Sequence, residues 1–214
     1  MKAIFMSCNN CNKNYAFEEI SEYIKPEMKV LCVPFASDLH WQLQGDYTEY
    51  KQQHFKVFNS FGITDDNIDT LSIHDDMDTM IDKVLGSDII FFSGGYMENA
   101  MYLLDKMKFN LLLPFIKKDK LVMGESAGAL ILQDIYYEVP HIEDAYKEYK
   151  EKIGLGLVSG YNIIVHYDEN NPKHKENAKH VKNLNDRITI CLSDESIFIV
   201  DDNWIRFIGQ HKMM

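Results

Sequence analysis

The chain has 214 residues, 46% of them apolar, which is enough to bury a sizeable core and reads as a single domain over residues 1–214. A formal net charge of -11 and a pI near 5.1 argue against partners held by clustered Lys and Arg, so neither nucleic acid nor an anionic membrane surface is an expected partner. The apolar run near the start is too short for the core of a signal peptide and no stretch approaches a membrane span, which makes the cytoplasm the expected setting.

In chain order, Ala3 to Met6 reads as a first strand, followed by a lone C-x-x-C at Cys8 and Cys11. That pair would suit redox chemistry or half a metal site, but no second C-x-x-C or well-spaced His pair accompanies it. An ordinary loop is therefore the reading, and no metal or cofactor is expected. Val30 to Phe35, Thr70 to Ile73, Asp88 to Ser93 and Leu121 to Gly124 carry the same strand signature of β-branched and aromatic residues between turn formers. Cys32 in the second of these and Cys191 further on fit small buried thiols in a reducing compartment.

Helical patterns separate the strands: Trp41 to Phe61 sets aromatic residues among charged and Gln positions, and Met77 to Leu85 repeats Met77, Met80, Ile81 and Val84 at helical spacing. Alternation of this kind predicts an open, mostly parallel α/β sheet with helices on both faces. After Val139-Pro140, the charged segment His141 to Lys152 reads as a solvated helix. Gly160 to Tyr167 and Arg187 to Asp201 read as further strands, and Trp204 to Ile208 as a closing one after the turn Asp201-Asp202-Asn203.

The stretch Gly124-Glu125-Ser126-Ala127-Gly128 has the G-x-S-x-G form, and its context gives it meaning. A short apolar strand precedes the serine and the helix formers AGALILQ follow it, the setting in which a sharp strand-to-helix turn lifts a hydroxyl above a sheet. Ser126 is thus the candidate nucleophile, and the Ala127 amide at the helix start a candidate oxyanion donor. A second donor is expected from the glycine pair Gly94-Gly95, which closes the strand through Phe92.

Of eight histidines, His166 has the context of a general base, because it ends the apolar run Tyr161 to Val165. His174 and His180 belong to a Lys-rich helix, while His40, His54 and His141 lie in polar surroundings. The orienting acid is either Asp194 or Glu195, which sit between two apolar runs. Asp168 is a third candidate, expected to point away from His166 on the same loop.

These elements in this order resemble peptidase family S51, the family of aspartyl dipeptidase and cyanophycinase. The resemblance rests on SGGYMENAMYLL, the G-x-S-A-G elbow, LGLVSGYNIIVHYDE and DESIFIV. It implies a fold like the class I glutamine amidotransferases (flavodoxin-like), with serine at the elbow, and cleavage of short peptides near the amino end. Carried over by motif, it implies a triad of Ser126, His166 and Asp194, with the Gly95 and Ala127 amides as oxyanion donors and a small peptide as substrate to a monomer or homodimer. Two departures stand out. Tyr96 occupies the position after the glycine pair where the family usually has Asn, and the loop with Cys8 and Cys11 is unlike the common pattern.

Two rival readings exist. An α/β-hydrolase esterase would order its triad Ser126, Asp194, His211, and a non-catalytic binding protein would use the same fold without chemistry. On specificity, gripping an aspartyl side chain calls for a cation with forked donors, and the chain has only two arginines, Arg187 and Arg206. The loop after His166 begins with Asp168 and Glu169, which would attract a free amino group rather than an acid. The expectation is an enzyme that accepts neutral or basic amino-terminal residues, unless Lys173 or another loop lysine supplies the cation.

Overall fold

The structure, a computed structural model, describes residues 2–8, 16–137, 151–202 and 204–214. Cys11, most of the predicted helix from His141, and Asn203 lie outside the described residues.

The strands are β1 (Lys2–Met6), β2 (Val30–Val33), β3 (Ile68–Thr70), β4 (Ile89–Phe92), β5 (Leu121–Glu125), β6 (Ile135–Tyr137), β7 (Glu151–Ile153), β8 (Tyr161–Ile164), β9 (Ile188–Leu192), β10 (Ile197–Asp201), β11 (Trp204–Ile208) and β12 (His211–Met213). The helices are α1 (Ala16–Ile20), α2 (Leu39–Gln44), α3 (Thr48–Asn59), α4 (Met77–Gly86), α5 (Met97–Lys106), α6 (Leu113–Asp119), α7 (Ala127–Ile131) and α8 (Pro172–Lys182). A seven-stranded sheet runs β11-β10-β1-β5-β4-β2-β3. Its five strands from β1 to β3 are parallel, and β10 and β11 add antiparallel pairings at one edge. The predicted open, mostly parallel α/β sheet is what is found.

Alternation along each parallel strand divides the core in two, because successive side chains point to opposite faces. On one face Ala3, Phe5, Leu31, Val33, Ile90, Phe92 and Val122 pack under α4, α5, α6 and α7. On the other, Ile4, Met6, Val30, Cys32, Ile89, Phe91 and Met123 pack under Ile20 and the Tyr50, Val57, Phe58 face of α3. Both faces are dry, so the strands read as continuous apolar runs rather than alternating ones. Full burial of each such side chain contributes about 2 kcal/mol.

Three elements depart from the sequence reading. The pattern Trp41 to Phe61 is two helices, because Gly45 takes a left-handed φ of 68° and closes α2. The third strand lies at Ile68–Thr70, fixed by the pairing of Val30 with Ile68 rather than by the apolar run Thr70 to Ile73. Glu151 and Lys152, which end the charged segment expected to be helical, belong to a strand, Glu151–Ile153, paired with Ile135–Tyr137, since long-range pairing overrides local charge patterning. The strands after β7 also do not all join one sheet. β8, β9 and β12 form a separate three-stranded sheet, with α8 packed on it through Ala178 and Val181.

Candidate active site

The parallel strands deliver their carboxyl ends to one edge, where open sheets place ligands. β1 runs beside β5, so Ser7 comes next to Ser126, and β4 runs on the other side of β5, which brings Gly94 alongside. A Cβ built on Gly94 would stand 3.1 Å from Ser126 Cβ.

Ser126 turns the chain from β5 into α7 with φ 48° and ψ -114°, a conformation L-residues adopt only under constraint. Two features impose it. The Ser126 amide donates to the Met6 carbonyl at 2.9 Å, which anchors the turn to β1. Gly128 lets α7 lie directly on β4, since a Cβ there would stand 2.0 Å from the Phe92 carbonyl oxygen. The elbow of the sequence is therefore a packing requirement as well as a motif.

Ser126 Oγ lies 2.8 Å from His166 Nε2, and His166 Nδ1 lies 2.6 Å from Asp194 Oδ1. His166 follows β8 with a left-handed φ of 57°. Its neighbour Tyr167 donates to the Leu192 carbonyl at 2.9 Å, so the loop is tied to β9. Asp194 sits in a turn braced by Ser193 and Ser196, whose hydroxyls are hydrogen-bonded to each other at 2.6 Å and both lie against the Gln210 carbonyl oxygen. The side chains of His166 and Asp194 are 51% and 62% exposed, so solvent reaches the pair. Glu195 lies one residue on, in the wall of the neighbouring cavity.

The remaining sequence candidates fall elsewhere. His211 stacks on Phe207 with ring centroids 4.2 Å apart, and its Nδ1 lies 3.1 Å from the Gly209 carbonyl oxygen. The Ser126 partner is His166, which removes the geometric basis of the esterase order. Asp168 caps its own loop, accepting the Asn170 amide at 2.8 Å. His174 accepts the Asp168 amide at 2.9 Å.

At the glycine pair, the Gly94 amide is aimed at Glu125 Oε2, 3.4 Å away, which leaves Gly95 as the available donor on that turn. Gly95 has φ 135°, and a Cβ there would stand 2.2 Å from the Ala36 carbonyl oxygen, so only glycine fits. Ala127 begins α7, where an amide has no intrahelical acceptor.

Two further groups stand at the site. Ser7, fully buried, touches both His166 and Asp194. His54, placed by the sequence in polar surroundings, sits beneath the elbow with its Nδ1 3.7 Å from Glu125 Oε2 and its ring 4.4 Å from that of Tyr50. Burial pushes its imidazole down to about 4, which keeps it neutral at pH 7. Its signal was the helical spacing of Tyr50, His54 and Phe58, which turns all three toward the sheet.

A cavity of about 310 Å³ opens on the acid side of His166, with Asp168, Glu169, Asp194, Glu195 and Lys212 in its wall. Lys212 Nζ is 3.4 Å from Glu169 Oε1, so the cation is shared with an acid and the wall keeps an acidic surplus. Both arginines are engaged away from it. Arg187 forms a two-pronged pair with Asp134 at 2.7 and 2.8 Å, and Arg206 pairs with Glu19 and Glu22. Among the described residues, no group of His, Cys, Asp and Glu is arranged to hold a metal ion, and no helix is long and apolar enough to cross a membrane.

A serine on a strand-to-helix elbow, with a histidine and a carboxylate in line behind it on an open α/β sheet, defines a serine-hydrolase type of site. The sequence matches peptidase family S51 over residues 4–210, and the chain belongs to that family of serine-type peptidases. Solved structures agree in fold. A candidate peptidase E protein from Listeria monocytogenes EGD-e is similar with a TM-score of 0.70 at 19% identity, covering 98% of each chain. A peptidase from an acI-B1 Actinobacterium is similar with a TM-score of 0.65 at 14% identity, covering 100% of this chain and 93% of that one. No curated protein sequence matches the chain.

Proposed function

We propose that the protein is a cytoplasmic exopeptidase that hydrolyses short peptides, dipeptides above all, through an acyl-enzyme on Ser126. The observation that carries the reading is the line of contacts at 2.8 and 2.6 Å through His166. Ser126 Oγ attacks the scissile carbonyl carbon as His166 Nε2 takes its proton. The carbonyl oxygen, now negative, is met by the Gly95 and Ala127 amides. The intermediate collapses with His166 returning the proton to the leaving amine, and water repeats the sequence to release the acid. Asp194 keeps the Nδ1 proton in place and balances the imidazolium charge.

The acidic surplus beside His166 and the engagement of both arginines support a preference for neutral or basic amino-terminal residues over aspartate. Cys32 and Cys191, both free thiols held up to about 12 by burial, support a reducing compartment. The test compares kcat/KM for Asp-Leu, Ala-Leu and Lys-Leu at one ionic strength. Lys-Leu and Ala-Leu should exceed Asp-Leu, and a clear preference for Asp-Leu would overturn the specificity reading.

A further inference from the structure

The acid–base pair behind Ser126 is solvent-exposed, so packing does not hold it. His166 and Asp194 expose 51% and 62% of their side chains, and His166 also occupies a left-handed backbone region that a residue with a Cβ adopts only under constraint. The tie to β9 and the Ser193–Ser196 brace hold the two loops, and one buried side chain links them to each other. Ser7, the residue immediately after β1, is 0% exposed and reaches both.

A hydroxyl has one proton and two lone pairs, which determines how the contacts are shared. The His166 backbone N–H can only donate, so Ser7 Oγ accepts it, at 2.6 Å. An ionised carboxylate can only accept, so the Ser7 proton goes to Asp194 Oδ1, at 3.1 Å. That same Oδ1 receives the His166 ring at 2.6 Å, which requires the proton on Nδ1 and leaves the Nε2 lone pair toward Ser126. The 3.5 Å approach of Ser7 Oγ to Nδ1 is then a flanking contact, because both protons are already committed to the carboxylate. One hydroxyl thus fixes the backbone of the base and the rotamer of the acid, from a strand that supplies neither.

We propose that Ser7 is a positioning residue of the peptidase reaction, acting through His166 and Asp194 to keep the imidazole in the tautomer that accepts the Ser126 proton. The inference rests on the triad reading above. It predicts that Ser7 matters more while Asp194 is present, because only the His166 backbone contact remains without it, whereas a merely structural serine would matter equally with or without it.

The test is a cycle of Ser7→Ala, Asp194→Ala and the double variant, read as the rate at which a fluorophosphonate inactivates Ser126, with thermal melts as the control for folding. Ser7→Ala should melt close to the parent yet inactivate about 10- to 100-fold more slowly, the scale of a small misplacement of a catalytic group. The double variant should lose less than the product of the two single losses, because the contact to Asp194 is already gone. Proton NMR should show the downfield Nδ1–H resonance of the parent weakened or lost in Ser7→Ala. Ser7→Cys, whose thiol is a weak donor, gives a second reading and should also be slowed. Additive losses in the cycle, or a folded Ser7→Ala with an unchanged rate and resonance, would overturn the proposal. If the parent itself is not modified at Ser126, the triad reading fails first and takes this inference with it.

Discussion

Replacing Asp194 by Asn changes one oxygen to a nitrogen and leaves the volume almost intact, so it isolates the charge that faces His166. Asp194 Oδ1 accepts from Nδ1 at 2.6 Å, a short charge-assisted contact. An amide placed there can present its NH2 group, which favours the tautomer with the proton on Nε2 and leaves no acceptor for the Ser126 hydroxyl. Loss of such a carboxylate from a buried triad costs about 10⁴ in kcat. Here the Asp194 side chain is 62% exposed, so water can replace part of the interaction, and the expected loss is about 10² to 10³, or roughly 3–4 kcal/mol of barrier. It should fall on kcat with KM little changed, because the acid acts as charge develops rather than on the bound substrate. Glu195→Gln should change kcat less than about threefold, since that side chain belongs to the cavity wall and not to the proton path. The assay is leucine release from Ala-Leu at saturating and limiting substrate. If Glu195→Gln is the crippled variant, or the two lose activity equally, the placement of the acid is wrong.

Three further outcomes follow from named contacts. Gly128→Ala should destabilise the fold by about 2–4 kcal/mol in urea melts, because the new Cβ would meet the Phe92 carbonyl at 2.0 Å; a change under about 0.5 kcal/mol would contradict the packing argument. His54, lowered by burial from 6.5 to about 4, binds its proton less readily folded than unfolded. Its contribution is therefore complete above pH 6.5 and is lost as pH falls toward 4, by about 3 kcal/mol; His54→Phe should flatten the stability profile over that window, and parallel profiles would refute this. His166→Ala should abolish turnover while His211→Ala is nearly silent, as the ring of His211 is stacked on Phe207; the reverse order would favour the esterase arrangement.

The features legible in the sequence were those in which local pattern and global packing agree. Ser126 could be read because the strand before it and the helix after it are both encoded within a few residues. His166 could be read because it ends an apolar run. The choice between Asp194 and Glu195 could not be made from composition, since both sit in one turn and only the geometry of that turn decides which faces the imidazole. Ser7 gave no signal of its own, as its role depends on β1 lying beside β5, a pairing between residues more than a hundred apart. His54 is masked in the sequence by the polar residues around it, because the relevant neighbours, Tyr50 and Phe58, lie one helical turn away. The strand at Glu151–Ile153 was hidden for a similar reason, because its partner at Ile135–Tyr137 lies outside any local window.

The central claim is that Ser126 is the nucleophile. Its most direct test is mass mapping of the protein after reaction with a fluorophosphonate, alongside the Ser126→Ala variant. The account predicts a single adduct on the peptide containing Ser126, formed by the folded parent, together with a variant that melts like the parent but neither labels nor releases leucine from Ala-Leu. An adduct on another residue, or undiminished turnover by Ser126→Ala, would contradict it.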